Sequence, residues 1–339
     1  MRDYKKENTH PHKVAHLIFI IYASICSVVV IAAEATDDSK STTEDEAKVS
    51  VSNESVKQLY TRKGADTCLK CHDEYYKYPV IEIFYTKHGD RKNPRSPMAQ
   101  LQCESCHGPG RAHATEPKVG QQRAPIIAFG HKSKIPLGEQ NERCLQCHNS
   151  GNRTTWRGSA HESQNMGCVD CHTIHTKNDP VLTPVKQVQK CFICHKKQSA
   201  EFARSSVHPV RYGQMSCAQC HNPHGTFSKS LLKTATKNDT CYQCHAEKRG
   251  PFLWAHAPVS EDCGICHEHH GSIQKSLLKK RPPYLCQQCH SMAGHPSVAY
   301  DSGALNDTFN NTFMLAKSCL NCHFQVHGSN HPSGVKLMR

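Results

Sequence analysis

Cys217-Ala-Gln-Cys-His-Asn-Pro-His-Gly225 decides how this chain is read. It joins a Cys-x-x-Cys-His pentapeptide to a second histidine three residues on. The pentapeptide occurs ten times and uses 20 of the 21 cysteines. The copies begin at Cys68, Cys103, Cys144, Cys168, Cys191, Cys217, Cys241, Cys263, Cys286 and Cys319. They are completed by Cys71-His72, Cys106-His107, Cys147-His148, Cys171-His172, Cys194-His195, Cys220-His221, Cys244-His245, Cys266-His267, Cys289-His290 and Cys322-His323. A lone Cys-x-x-Cys is more often half a zinc site or a redox dithiol, and neither needs the adjacent histidine. With 26 histidines in 339 residues, about one position in thirteen carries one, so ten repeats of the pattern are not chance. The spacing is the attachment signature of c-type haem, in which two thiols add to the porphyrin vinyls and the imidazole becomes the proximal iron ligand. It predicts ten covalently attached haem c groups.

The composition fits that cofactor load. Only 37% of residues are hydrophobic and 7% aromatic, thin material for a core of this length. Ten macrocycles would supply the missing apolar mass, with about thirty residues of chain per haem. The formal net charge of +13 offsets up to twenty haem propionates, and no arginine-rich run interleaved with aromatics suggests nucleic acid. At the N-terminus Arg2, Lys5, Lys6 and Lys13 precede the apolar run Leu17–Ala33, which reads as a secretory signal cleaved after Ala33 or Ala35. The alternative is an uncleaved anchor. Cys26, the one cysteine outside the motifs, lies within this run. The expected organisation is a signal over 1–35, a flexible acidic linker over 36–66, and a decahaem domain over 67–339.

The remaining histidines reveal a repeat. Taken in consecutive pairs, the motifs form five di-haem units starting at Cys68, Cys144, Cys191, Cys241 and Cys286. Between the two motifs of each unit lies one histidine: His88, His161, His208, His256 and His295. After the second motif lies another: His113, His175, His224, His270 and His327. These ten are the candidate distal iron ligands, one per haem. His131, His269 and His331 are left over. His269 competes with its neighbour His270, and His331 with His327. A histidine three residues past a motif, such as His175, His224 or His270, cannot reach the opposite face of its own porphyrin, so it should serve a neighbouring iron.

The fold class expected is a multihaem cytochrome c. It should be mostly irregular with short α-helices and little β-structure, built as an elongated chain of ten haems. Two imidazoles per iron leave no open coordination site, which favours electron transfer over catalysis and predicts no catalytic residues. The rival reading is a multihaem oxidoreductase acting on a small nitrogen or sulfur substrate. Such enzymes commonly keep one five-coordinate haem with an altered motif, whereas all ten motifs here end in histidine.

Longer stretches carry a specific resemblance. They are Lys63-Gly-Ala-Asp-Thr-Cys68, Ser205-Ser-Val-His208-Pro, Cys217–Gly225, Asp239–Gly250, Cys319–His323 and Val326–Gly334. Over about residues 63–339 the chain resembles the MtrA/DmsE family of decahaem cytochromes, whose relatives include MtoA and PioA. The departure is Glu268-His269, where the family carries Asn-Pro. The resemblance implies a periplasmic protein associated with the outer membrane and threaded into a porin-like β-barrel. It also implies a periplasmic or inner-membrane cytochrome at one end, and an extracellular multihaem cytochrome or terminal reductase at the other. Metal or DMSO reduction and Fe(II) oxidation are both compatible with it, so the direction of electron flow stays open.

Overall fold

Each Cys-x-x-Cys-His closes into a single helical turn. In all ten, the histidine N–H donates to the carbonyl of the first cysteine at 2.9–3.0 Å. This i to i+4 bond puts both thiols and the imidazole on one side of the turn. A computed structural model describes residues 53–75, 80–290 and 318–338, which belong to the compact unit Val51–Arg339. The expected secretory signal, most of the expected acidic linker and His295 lie outside the described residues.

In the first four units the two motifs are built differently, whereas in the fifth both are short turns, Cys286–Gln288 and Cys319–Asn321. The first grows out of the end of a helix, as in Ala65–Cys68, Leu137–Leu145, Pro184–Phe192 and Lys237–Tyr242. Pro184 sits in the first turn of its helix, where its missing N–H costs nothing. Thr236 caps the start of Lys237–Tyr242 by accepting from the Asp239 N–H at 3.0 Å. The second motif is only a turn: Glu104–His107, Cys168–Cys171, Cys217–Cys220, Cys263–Ile265 and Cys319–Asn321. An amide side chain on the first helix ties the turn down in three units; in the third unit, Gln187 accepts from the Ala218 N–H at 3.1 Å. Asn141 accepts from the Cys168 N–H at 2.8 Å, and Asn238 accepts from the Cys263 N–H at 2.7 Å.

Among the described residues strand pairing is confined to four isolated bridges, and only eight apolar side chains are buried. One small cluster forms where Val188, Phe202 and Val210 meet in the third unit. So little apolar burial among the described residues falls short of what an ordinary domain relies on. The polypeptide therefore acts as a wrapping for the cofactors.

Consecutive units are sewn together at one recurrent seam. The segment before the inter-motif histidine of one unit lies along the segment after the second motif of the next. Ser206 and Ser272 exchange backbone hydrogen bonds of 2.9 and 2.8 Å, and Trp254 and Ser329 exchange bonds of 2.8 and 2.9 Å. Between the second and third units the Thr155 hydroxyl donates to Gly225 O at 2.6 Å, and Asn222 Nδ2 donates to Asn152 O at 2.8 Å. The approach is close enough that a Cβ on Gly225 would collide with the Thr155 carbonyl, and one on Gly271 with the Glu201 carbonyl. Gly225 also has φ +110°, a backbone state that favours glycine.

Candidate haem-ligand ladder

The histidines converge in twos. Among the described residues no cluster of three or more His, Cys, Asp and Glu gathers to hold a bare metal ion. Instead, nine motif histidines each face one further histidine with ring centres 5.8–6.5 Å apart. The pairs are His72–His113, His107–His175, His148–His88, His172–His224, His195–His161, His221–His270, His245–His208, His267–His327 and His290–His256. A metal–imidazole bond of about 2 Å, plus about 1 Å from nitrogen to ring centre, gives a span of roughly 6 Å for two imidazoles on one iron. The observed spacing fits an iron between each pair.

A rule governs who faces whom. The inter-motif histidine of each unit goes to the first motif of the next, so His88, His161, His208 and His256 face His148, His195, His245 and His290. The histidine after the second motif goes back to the second motif of the unit before, so His175, His224, His270 and His327 face His107, His172, His221 and His267. His113, in the first unit, turns inward to His72 of its own unit. The tenth motif histidine, His323, has its remaining candidate partner, His295, outside the described residues.

Ring orientation is fixed from the Nδ1 side. His107, His221, His267 and His323 donate Nδ1–H to the carbonyls of Ile127, Ser230, Ser276 and Lys336 at 2.6–2.8 Å. His113, His161, His208 and His256 donate to the carbonyls of Ala124, Pro223, His269 and Val326 at 2.7–3.0 Å. A carbonyl oxygen can only accept, so these rings carry their proton on Nδ1 and keep the Nε2 lone pair for a metal. At Ser230 and Ser276 the carbonyl is aimed by two consecutive left-handed residues. Ser230 and Leu231 have φ 58°, and Ser276 and Leu277 have 55° and 57°. Such values are costly for a leucine and mark a backbone held for a purpose.

The three surplus histidines stand apart from the ring pairs. His269 supplies only its backbone carbonyl to His208, which explains how the histidine can stand where the sister unit has Pro223. His331 bonds Ser333 through Nδ1 at 2.8 Å, and the exposed His131 lies 3.0 Å from Asp170. Burial lowers the pKa of His72, His88, His148, His175, His221 and His327 below the usual imidazole value. Burial takes His224 furthest, to about 4, helped by His172 and Arg153 nearby. Rings held neutral in this way present a lone pair at neutral pH.

The cysteines report the order of the motifs. Within a unit the two first cysteines adjoin: Cys68 with Cys103, Cys144 with Cys168, and Cys191 with Cys217 through shared thiol hydrogen bonds. Cys241 with Cys263 and Cys286 with Cys319 repeat the arrangement. The hydrogen bond from Cys191 lowers the Cys217 thiol below its ordinary value. Between units the second cysteines influence each other, Cys106 with Cys147, Cys171 with Cys194, Cys220 with Cys244 and Cys266 with Cys289. Alternating these contacts links the ten motifs in series, in sequence order.

Ten attachment turns in series carry ten covalently bound haem c groups, which makes this protein a multihaem c-type cytochrome, an electron carrier. Models of three cytochrome families match it: the doubled CXXCH motif over residues 208–250 and 256–295, the NrfB-like cytochrome c-type proteins over 103–186, and cytochrome c554 and c-prime over 31–108. It is 44% identical to the multiheme cytochrome MtrA of Shewanella baltica (strain OS185), across 99% of this chain and 98% of that protein. A high-molecular-weight cytochrome c of Nitratidesulfovibrio vulgaris is 26% identical over 42% of this chain and 32% of its own length. The chain belongs to the MtrA family of decahaem cytochromes. Among the described residues no helix is long and apolar enough to cross a membrane.

Proposed function

We propose that every haem iron is held between two imidazoles and that the chain conducts electrons through the outer membrane inside a β-barrel partner. The observation that carries this reading is the set of nine histidine pairs at iron-spanning distance. The tenth site is assigned to His323, the last of the ten motif histidines, and His295, the last of the ten candidate distal ligands. When bound, the haems supply one-electron Fe(III)/Fe(II) couples close enough to exchange electrons in series. The chain's own residues do three things. The thiols fix each macrocycle at its edge. The proximal and distal imidazoles would hold each iron from two sides and keep small oxidants from it. The seam bonds, and Nδ1–H bonds at eight of the nine pairs, hold the rings still, so little geometry changes when an electron arrives.

A periplasmic location, with a periplasmic or inner-membrane cytochrome as one partner and an extracellular multihaem cytochrome or terminal reductase as the other, follows the family. Extracellular respiration on metals or DMSO and oxidation of Fe(II) both use such a conduit. The ferric spin state of the intact holo-protein tests the ligation: a wholly low-spin spectrum is expected, and a substantial high-spin fraction would refute it. Vesicles holding the cytochrome with its barrel, and an enclosed reduced dye, test the conduit. An external ferric acceptor should oxidise the dye only when both proteins are present, and equal rates without the cytochrome would exclude the role.

A further inference from the structure

We propose that Asp179 is a positioning residue that lowers the reduction potential of the fourth haem by bonding its proximal ligand, His172. This rests on the reading that His172 and His224 are the axial pair of that haem. Four of the five second-motif histidines donate Nδ1–H to a backbone carbonyl, but His172 donates to a carboxylate. Its Nδ1 lies 2.6 Å from Asp179 Oδ2. The carboxylate is preorganised, because Oδ1 accepts from the backbone N–H groups of Thr173 at 3.2 Å and Val181 at 3.3 Å. With 13% of its side chain exposed, Asp179 has little water to screen it.

A carboxylate and a carbonyl act differently here. Both fix the ring, but the carboxylate brings a full negative charge to the far side of the imidazole. That charge draws the Nδ1 proton and raises the ring's donation to the metal. Ferric iron carries one more positive charge than ferrous, so the oxidised state gains more and the potential falls. One related contact occurs on the distal side of the sixth haem, where His270 Nδ1 lies 3.1 Å from Glu201 Oε2. That bond is longer, and Glu201 also faces Lys197 Nζ at 3.9 Å, so its effect should be smaller. The ten couples are then unequal by construction, with the fourth among the last to accept an electron.

The test is a spectropotentiometric titration of the full-length holo-protein as wild type, Asp179→Asn and Asp179→Glu. In Asp179→Asn one haem's share of the absorbance change should move positive by about 59 mV or more, a tenfold change in its oxidised-to-reduced ratio for a one-electron couple. Asp179→Glu should restore most of the wild-type curve, and Glu201→Gln should move a different share by less. Asp170→Asn removes a charge from the same motif without touching an axial ring, and should shift the curve far less. Superimposable curves for Asp179→Asn and wild type, both with ten haems by mass, would overturn the proposal. So would an equal shift in Asp170→Asn, which indicates bulk charge, or loss of a haem in Asp179→Asn, which indicates a purely structural role. A high-spin fraction in the wild type would instead count against the bis-imidazole reading. The Asp179 comparison acts through the proximal His172 and is read independently of it.

Discussion

At the scale of single residues, two histidines that sit side by side in sequence do different work. His270 offers its ring to His221, whereas His269 offers only its carbonyl to His208. Replacing His270 or His224 with alanine should convert one haem's share of the spectrum to high spin and let that haem bind carbon monoxide. His269→Ala should do neither, and absorption spectra with and without carbon monoxide separate the cases. The same scale gives a pH dependence. Seated, His224 has its pKa lowered from the ordinary 6.5 to about 4, while once released its ring returns to the ordinary value. As the pH falls from 6.5 toward 4 the released ring gains a proton and the seated ring does not, so acid favours release. Stability from this seat is complete above 6.5 and drains through that window, with the iron–nitrogen bond moving the midpoint to its acid side. An acid titration followed at the ferric high-spin band should show this haem unchanged at pH 6.5 and converting only on the acid side of the window.

At the scale of elements, the sequence showed the attachment turns in full, because their chemistry is local: five adjacent residues satisfy one porphyrin edge. It also showed that His175, His224 and His270 must leave their own haem. It did not show where each goes, since that depends on how units dock, and docking is written in backbone contacts rather than in side-chain type. The partial signals were the His-Gly steps at His224-Gly225 and His270-Gly271, and the Lys-Ser-Leu-Leu-Lys run shared by two units. The first marks where two backbones approach too closely for a Cβ, and the second where a left-handed turn aims a carbonyl at the proximal imidazole. Asp179 was invisible as a partner of His172 because no repeat or motif singles it out; in the fold it also caps the turn Pro180–Leu182. Gly271→Ala should therefore force the third and fourth units apart at the Glu201 carbonyl. The expected signature is partial high-spin character at two haems, those capped by His270 and His208, together with a lower melting temperature. Ala at Gly138, where a Cβ meets nothing within 4 Å, should leave the spectrum as it is.

At the scale of the whole molecule, so few buried apolar side chains among the described residues imply that folding and cofactor attachment are one event. Chain produced without a haem-attachment apparatus should show no cooperative thermal transition and should be degraded rapidly by trypsin, while the holo-protein resists. The proposed ligand exchange between neighbours adds a second consequence. Each interior unit gives one imidazole forward and one back and receives the same in return, so every interior unit presents identical couplings at its two ends. Only the first unit, where His113 turns back on His72, breaks this symmetry among the described residues. Excising one interior unit cleanly, from one first-motif helix to the next, should leave a shorter, fully capped eight-haem conductor. Trimming the C-terminal unit should leave a frayed end, with His267 facing nothing. Among the described residues the architecture is modular from within and closed on itself at its first unit, a cable that can be spliced in the middle.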